Sequence, residues 1–178
     1  SAPRPTASPG CASWNEPGVS VVFKQPVSVL VVIHTPQLDI LLLERASGAG
    51  LWQSVTGSRE GDETLPATAL REVAEETGIA ASADALIDWR LGNRFPILPP
   101  WQGKFAPGVS HNIEHVFSLP VPAIVPVRLA PDEHTAARWL PWQEAAEAVF
   151  SWTNRDAIRL VARTLSAAPL PVAPRSSF

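Results

Sequence analysis

From Pro26 to Ile33 the chain reads Pro-Val-Ser-Val-Leu-Val-Val-Ile, a nearly unbroken apolar run rich in β-branched residues. Such a run predicts a strand buried on both faces. Asp39 to Glu44 (DILLLE) predicts a second strand, paired to the first through a turn near Thr35-Pro36-Gln37. Leu51 to Thr56 leads onward into a loop. The period then changes. Thr64 to Thr77 consists of good helix formers, with Pro66 near the start, where a missing N–H costs nothing, and Gly78 just past the end. Leu70, Val73, Ala74 and Thr77 recur at helical spacing and predict the buried stripe of that helix. Ala85 to Leu91 and Ile113 to Leu119 are further strand candidates, and the second alternates as a half-buried strand does. Arg138 to Pro141 predicts a short strand, while Gln143 to Phe150 and Asn154 to Leu165 predict amphipathic helices. Strands, a long helix, more strands and then helices imply an α/β fold, with a mixed sheet between helical layers.

The two ends read differently. Residues 1–20 carry Pro3, Pro5, Pro9 and Pro17 among small polar residues and predict an irregular arm. Residues 166–178, again rich in proline and small residues, predict a flexible tail. Residues 21–165 remain as one domain, and the 178-residue length suits a single sizeable core. Cys11 is the only cysteine, which excludes an intrachain disulfide and a cysteine zinc cluster. His34, His111, His115 and His134 lack metal-ligand spacing. A formal net charge of −3 argues against a nucleic-acid surface and offers no attraction for a polyphosphate, so bound metal must supply positive charge. Val27 to Ile33, the longest apolar stretch, is too short to span a membrane. Residues 1–10 lack the apolar segment of a secretory signal. The expectation is a cytoplasmic enzyme with no membrane or nucleic-acid partner, acting as a monomer or weak homodimer.

The densest chemistry lies on the long helix. Glu72, Glu75 and Glu76 stand three and four residues apart, so their side chains converge, on a face different from the apolar stripe. Three converging carboxylates repel unless something cationic sits among them. Arg71 can offset part of that charge, and a hard divalent cation with oxygen ligands can offset the rest. Gly57, just before the loop, lets a backbone carbonyl approach the same cation. A solvated acidic helix face is the plain alternative for glutamates of this kind.

The residues around the cluster decide between these. Gly57, Glu63, Arg71, Glu72, Val73, Glu75, Glu76, Gly78 and Ile79 form the pattern G-x5-E-x7-R-E-U-x-E-E-x-G-U, where U is a bulky aliphatic residue. This resembles the Nudix box, the metal-binding signature of enzymes that hydrolyse a nucleoside diphosphate linked to another group. The resemblance implies an α/β/α sandwich. Lys24 to Ile33, Leu51-Trp-Gln-Ser-Val-Thr-Gly57, Phe105-Ala-Pro-Gly-Val109, Asn112 with Glu114, and Ser151-Trp-Thr-Asn-Arg-Asp-Ala-Ile158 together resemble the bacterial dihydroneopterin triphosphate diphosphatases. Those enzymes remove pyrophosphate and leave the monophosphate, in folate biosynthesis. Arg94 to Trp101 (RFPILPPW) is richer in proline and more apolar than that family implies.

Carried over residue by residue, the resemblance implies magnesium, replaceable by manganese, held by Glu72, Glu76 and the Gly57 carbonyl, with Glu75 completing the shell. It implies a further metal ligand or general base at Glu133, in the loop before the Arg138 strand. Glu114 is the rival for that role, and Asp132 and His134 are read as neighbours without one. Arg71 orients the carboxylates, and Glu63 anchors the loop to the helix. Substrate contacts are implied at Lys24, Arg45, Thr56, Ser151 and the loop Phe95, Pro96, Ile97 and Leu98. Ser151 equally suits a helix cap, and Lys24 and Arg45 equally suit solubility. Trp52 offers a flat face for a pterin ring, whereas Trp139 and Trp142 read as core fillers. The alternative substrates are purine nucleoside triphosphates, dATP or oxidised dGTP; a third reading is a catalytically silent, nucleotide-binding domain.

Overall fold

The computed structural model describes residues 22–167. The arm expected at residues 1–20, and the tail beyond residue 167, lie outside the described residues. Ser166 and Ala167 are helical, so the last helix runs two residues past its expected end at Leu165.

The buried run forms β1 (Val27–His34), whose side chains are almost all excluded from water. It turns at Thr35 to Leu38, where Leu38 adopts φ 65° and its N–H donates to the Thr35 carbonyl. The chain then returns as β2 (Asp39–Arg45). The expected pairing of these strands exists only at the turn, His34 with Ile40. Beyond it they part. β1 instead pairs antiparallel with β4 (Val55–Ser58), and β2 pairs with β3 (Trp52–Gln53) and with β7 (His134–Pro141). On its other side β1 pairs parallel with β6 (His111–Pro120), which pairs antiparallel with β5 (Ile87–Pro96) at the sheet edge. The result is one mixed seven-stranded sheet that splits between β4 and β2.

Two expectations about β5 change. Ala85, expected to open the strand, ends a 3₁₀ turn (Ala83–Ala85), and the strand runs from Ile87 past Leu91 to Pro96, taking in the first half of the apolar loop. A short helix α2 (Pro99–Gln102) follows; Pro99 and Pro100 sit in its first turn, where no N–H is needed.

Helix α1 (Leu65–Thr77) covers the odd-numbered face of the central strands. Ala69 and Val73 pack there with Val29, Val31, Val55 and Phe117. Thr64 caps its start by accepting from Ala67 N–H, and Gly78 ends it at φ 72°. The expected stripe is corrected by one position. Leu70 is only half-buried and Ala74 is exposed; the inward face is Ala69, Val73 and Thr77, with Glu72 and Glu76 among them. Helices α3 (Trp142–Ala148) and α4 (Trp152–Ala167) cover the opposite face through Ala145, Ala157, Ile158 and Val161, against Leu30, Val32, Leu42 and Val116. This completes an α/β/α sandwich. Trp139 and Trp142 pack on the two cores as expected. Trp52 is not the exposed ring platform expected: it lies within the α3/α4 core, and the Arg138 guanidinium sits 4.6 Å from its ring centre.

Candidate active site

Burial sorts the three helix glutamates. Glu72 and Glu76 lie on the inward face of α1, nearly removed from solvent, whereas the Glu75 side chain is 58% exposed. The expectation of one shared face apart from the apolar stripe is therefore corrected. The spacing of four puts Glu72 and Glu76 on the apolar side, and Glu75 projects outward beside Arg71. Gly57, on β4, makes the burial possible: a Cβ there would overlap the Glu72 carboxyl group. The glycine serves close approach rather than a turn.

Arg71 ties this corner together. Its Nε stands 2.7 Å from Glu63 Oε1, and its Nη1 lies 2.8 Å from Glu72 Oε1 and 3.0 Å from Glu75 Oε2. Its Nη2 donates to the Ser58 carbonyl and to Glu63 Oε2. Glu63 also accepts from Thr68 Oγ1 and Glu60 N–H, so the loop between β4 and α1 is clamped as expected. The hydrogen bonds from Arg71 hold the Glu63 carboxyl down at about 2. Burial acts the other way on the inward pair. Glu72 is pushed up to about 7 despite Arg71, and Glu76 is raised by burial against the influence of His134. Two desolvated carboxyls one helical turn apart, of which only Glu72 is bonded to a guanidinium, are short of positive charge.

Strand β7 brings the loop residues in. His134 opens that strand and is buried, with its Nε2 3.2 Å from Glu76 Oε2. Glu133 is exposed beside it, and single ligand atoms of Glu76, Glu133 and His134 lie within 4.8 Å of one another. The Ala46 N–H donates to the Glu133 carbonyl, which fixes the loop to the end of β2. Glu76 Oε2 makes no well-aligned hydrogen bond, although His134 Nε2 stands 3.2 Å away. An orphaned buried carboxylate oxygen, a glycine cradle and hard oxygen donors all suit a divalent cation of the magnesium or manganese type. His134, read in sequence as a neighbour without a role, is buried against Glu76. Its only sequence signal was its place next to Glu133, in the loop before the expected Arg138 strand. Glu114, the rival of Glu133, lies on the other side of the sheet. It is in register with Ser28 and shares the face of Leu30 and Val116, whereas Gly57 is in register with Val29 on the α1 face.

The expected substrate contacts gather mainly on that other side. Arg45 Nη1 donates to Gln53 Oε1, and Gln53 Nε2 donates to Thr56 Oγ1. Ser151 Oγ accepts from Asn154 N–H and caps α4. Asn154 in turn grips Ser54, accepting from its N–H at 2.7 Å and donating to its hydroxyl at 2.9 Å. The segment before the box is thereby bound to the start of α4. Phe95 is in register with Asn112, two residues from Glu114 on the same face. Pro96 pairs with His111, Ile97 is buried with its N–H donating to Ser110, and Leu98 is exposed. Lys24 stands apart from the Arg45–Thr56 chain. It is exposed, and its N–H donates to Lys104, so it borders the loop that follows α2. Asn112, Thr153 and Asn154 also line this face, signalled in sequence by Asn112 and the SWTNR segment, whereas Gln53, signalled by the Leu51 to Gly57 segment, is in register with Leu43 on the α1 face.

The comparisons with known proteins agree with this layout. The NUDIX domain model matches residues 24–161, so the chain belongs to the Nudix family and is a Nudix hydrolase. Within it, the chain is 41% identical over 140 residues to the dihydroneopterin triphosphate diphosphatase of Escherichia coli K12, covering 77% of this chain and 92% of that one. The Haemophilus influenzae enzyme of the same description is 38% identical over 141 residues, covering 77% and 87%. The solved structure of the E. coli dihydroneopterin triphosphate pyrophosphohydrolase superposes with a TM-score of 0.74 at 40% identity, covering 80% of this chain and 99% of that one.

Proposed function

We propose that this protein is a divalent-metal-dependent diphosphatase that converts dihydroneopterin triphosphate to the monophosphate and pyrophosphate. The observation that carries this reading is the Glu72–Glu76 pair: two buried, charge-starved carboxyls beside the Gly57 cradle, with the Glu133 and His134 loop closing over Glu76. The substrate assignment is supported by about 40% identity to the enzymes of that name across most of both chains.

Glu72, Glu76, Glu133 and the Gly57 carbonyl would hold magnesium or manganese. The metal, when bound, supplies positive charge against the polyphosphate oxygens and makes a water acidic enough to attack. Arg71 keeps Glu72 and Glu75 oriented through its shared guanidinium. Glu133, exposed at the mouth of the cluster, is placed to take the proton of the attacking water. Arg45 and Thr56 hold the phosphate chain or the adjoining end of the ring, Ser151 and the Phe95 to Leu98 loop border the ring, and Lys24 closes the outer rim. Attack at the α–β bridge in line with the leaving pyrophosphate needs this fixed geometry more than any covalent group on the protein. The domain acts as a monomer or weak homodimer in the cytoplasm. Among the described residues no helix is long and apolar enough to cross a membrane.

The test is product identity. With magnesium, pyrophosphate and a pterin monophosphate should appear together in equal amounts, and a chelator should abolish both. Orthophosphate as the main product, or hydrolysis that resists the chelator, would overturn the proposal.

A further inference from the structure

Glu114 and Asn112 are not used by the chemistry above, and both are anomalous. They lie two residues apart on β6, about 7 Å along the strand, and each is about 6% exposed. Asn112 donates through Nδ2 to Ser28 Oγ at 2.7 Å, but its Oδ1 has no partner. Thr153 faces the Glu114 carboxyl, whose Oε1 has no partner either. Unfilled acceptors in a protein interior are costly, and native structures tolerate few of them. Here two stand side by side, and the unfilled ring nitrogen that shares this face, His34 Nε2, lies six residues along β1 from Ser28. They sit beside the start of α4 and across from Asn93 and Phe95 of β5. Two unfilled acceptors call for a ligand edge that only donates.

We propose that Glu114 and Asn112 read the ring of the substrate, accepting from the adjacent ring N–H and exocyclic amino group that a 2-amino-4-oxopyrimidine edge presents. The inference deepens the pterin triphosphate reading and rests on it. A carboxylate matches two neighbouring donors, as it matches the fork of a guanidinium. A guanine ring carries the same edge. An adenine ring pairs one donor with one acceptor and leaves a carboxylate oxygen facing a lone pair. Burial pushes the Glu114 carboxyl up to about 7 in the free protein, and donors from a bound ring favour the ionised form. Glu114 and Asn112 thus select the ring, while the cluster on the opposite face of the sheet does the hydrolysis.

The experiment compares wild type and E114Q on dihydroneopterin triphosphate, dGTP and dATP with saturating magnesium. The amide keeps the shape but turns one acceptor into a donor. KM for the pterin and guanine substrates should rise about tenfold to a hundredfold, the range for a lost charge-assisted hydrogen bond, while KM for dATP stays within about twofold and kcat changes little. A direct readout uses neopterin fluorescence in chelator, where no turnover occurs: E114Q should bind it more weakly by the same factor. Glu114→Asp keeps a carboxylate and should retain part of the preference. Equal losses on all three substrates, with or without a lower melting temperature, would assign Glu114 to core packing and overturn the inference. So would unchanged KM values, or a loss confined to kcat. Should wild type favour dATP, the pterin function fails, but the guanine-against-adenine shift in E114Q still decides the ring-edge reading.

Discussion

Glu72 and Glu76 are held where a carboxylate is least comfortable, and the linkage between charge and metal follows from that. Both have folded-state pKa values raised by burial, Glu72 to about 7, above the ordinary value of about 4.3. A raised carboxyl contributes stability below the unfolded pKa and loses it as pH rises through the folded one. The metal-free protein therefore loses this contribution between about pH 4.3 and pH 7, and a divalent cation restores it. His34, buried with its pKa lowered, acts in the opposite sense over part of that window, but it sits at the turn end of β1 and cancels in a with-minus-without-metal difference. The melting temperature should thus rise more on adding magnesium at about pH 8 than at about pH 5.5. An equal rise at both would show that protons and metal do not compete for these carboxyls. The spacing of the glutamates made them visible in sequence, since the box is a local pattern. Their inward direction was not visible. Counting Leu70 and Ala74 as the stripe turned the helix by one position, because the glycine cradle at Gly57 that lets glutamates face inward is a tertiary feature.

Among the elements, the join between the strand before the box and the last helix organises the ring-binding face. β3 and β4 are too short to hold themselves, and Asn154 at the start of α4 supplies both hydrogen bonds to Ser54 across a hundred residues of sequence. Asn154→Ala leaves a buried N–H and hydroxyl unpaired, so it should destabilise the fold by about 1–3 kcal/mol and raise KM as Thr56 and Ser151 drift apart. A variant with unchanged melting and KM would show that the clamp is redundant. Element types were largely legible from periodicity: β1, β2, α1 and α4 are all where the pattern places them. The separation of β1 from β2 after one pair was not, because pairing partners depend on the split between β4 and β2. For the same reason β5 reaches Pro96 although Gly92 and Pro96 interrupt the strand pattern. It is an edge strand, where a missing N–H is tolerated.

At the scale of the molecule the sheet keeps two jobs apart. The α1 face carries the carboxylates proposed for hydrolysis, the α4 face carries the polar row proposed to meet the rest of the substrate, and the sheet splits between β4 and β2. The reaction class follows from the first face, which the box already announced. The proposed substrate contacts belong mainly to the second, whose parts are scattered from Ser28 to Asn154 and become one surface only on folding. The most direct test of the whole account is a competition assay in which dihydroneopterin triphosphate, dGTP and dATP are mixed at equal concentration with magnesium and enzyme. The ratio of consumption rates gives the ratio of kcat/KM without separate fits. The account predicts that the pterin triphosphate disappears first, with dATP slowest by at least about tenfold, the value of one lost hydrogen-bonded edge. Equal consumption of all three, or dATP consumed fastest, would contradict it.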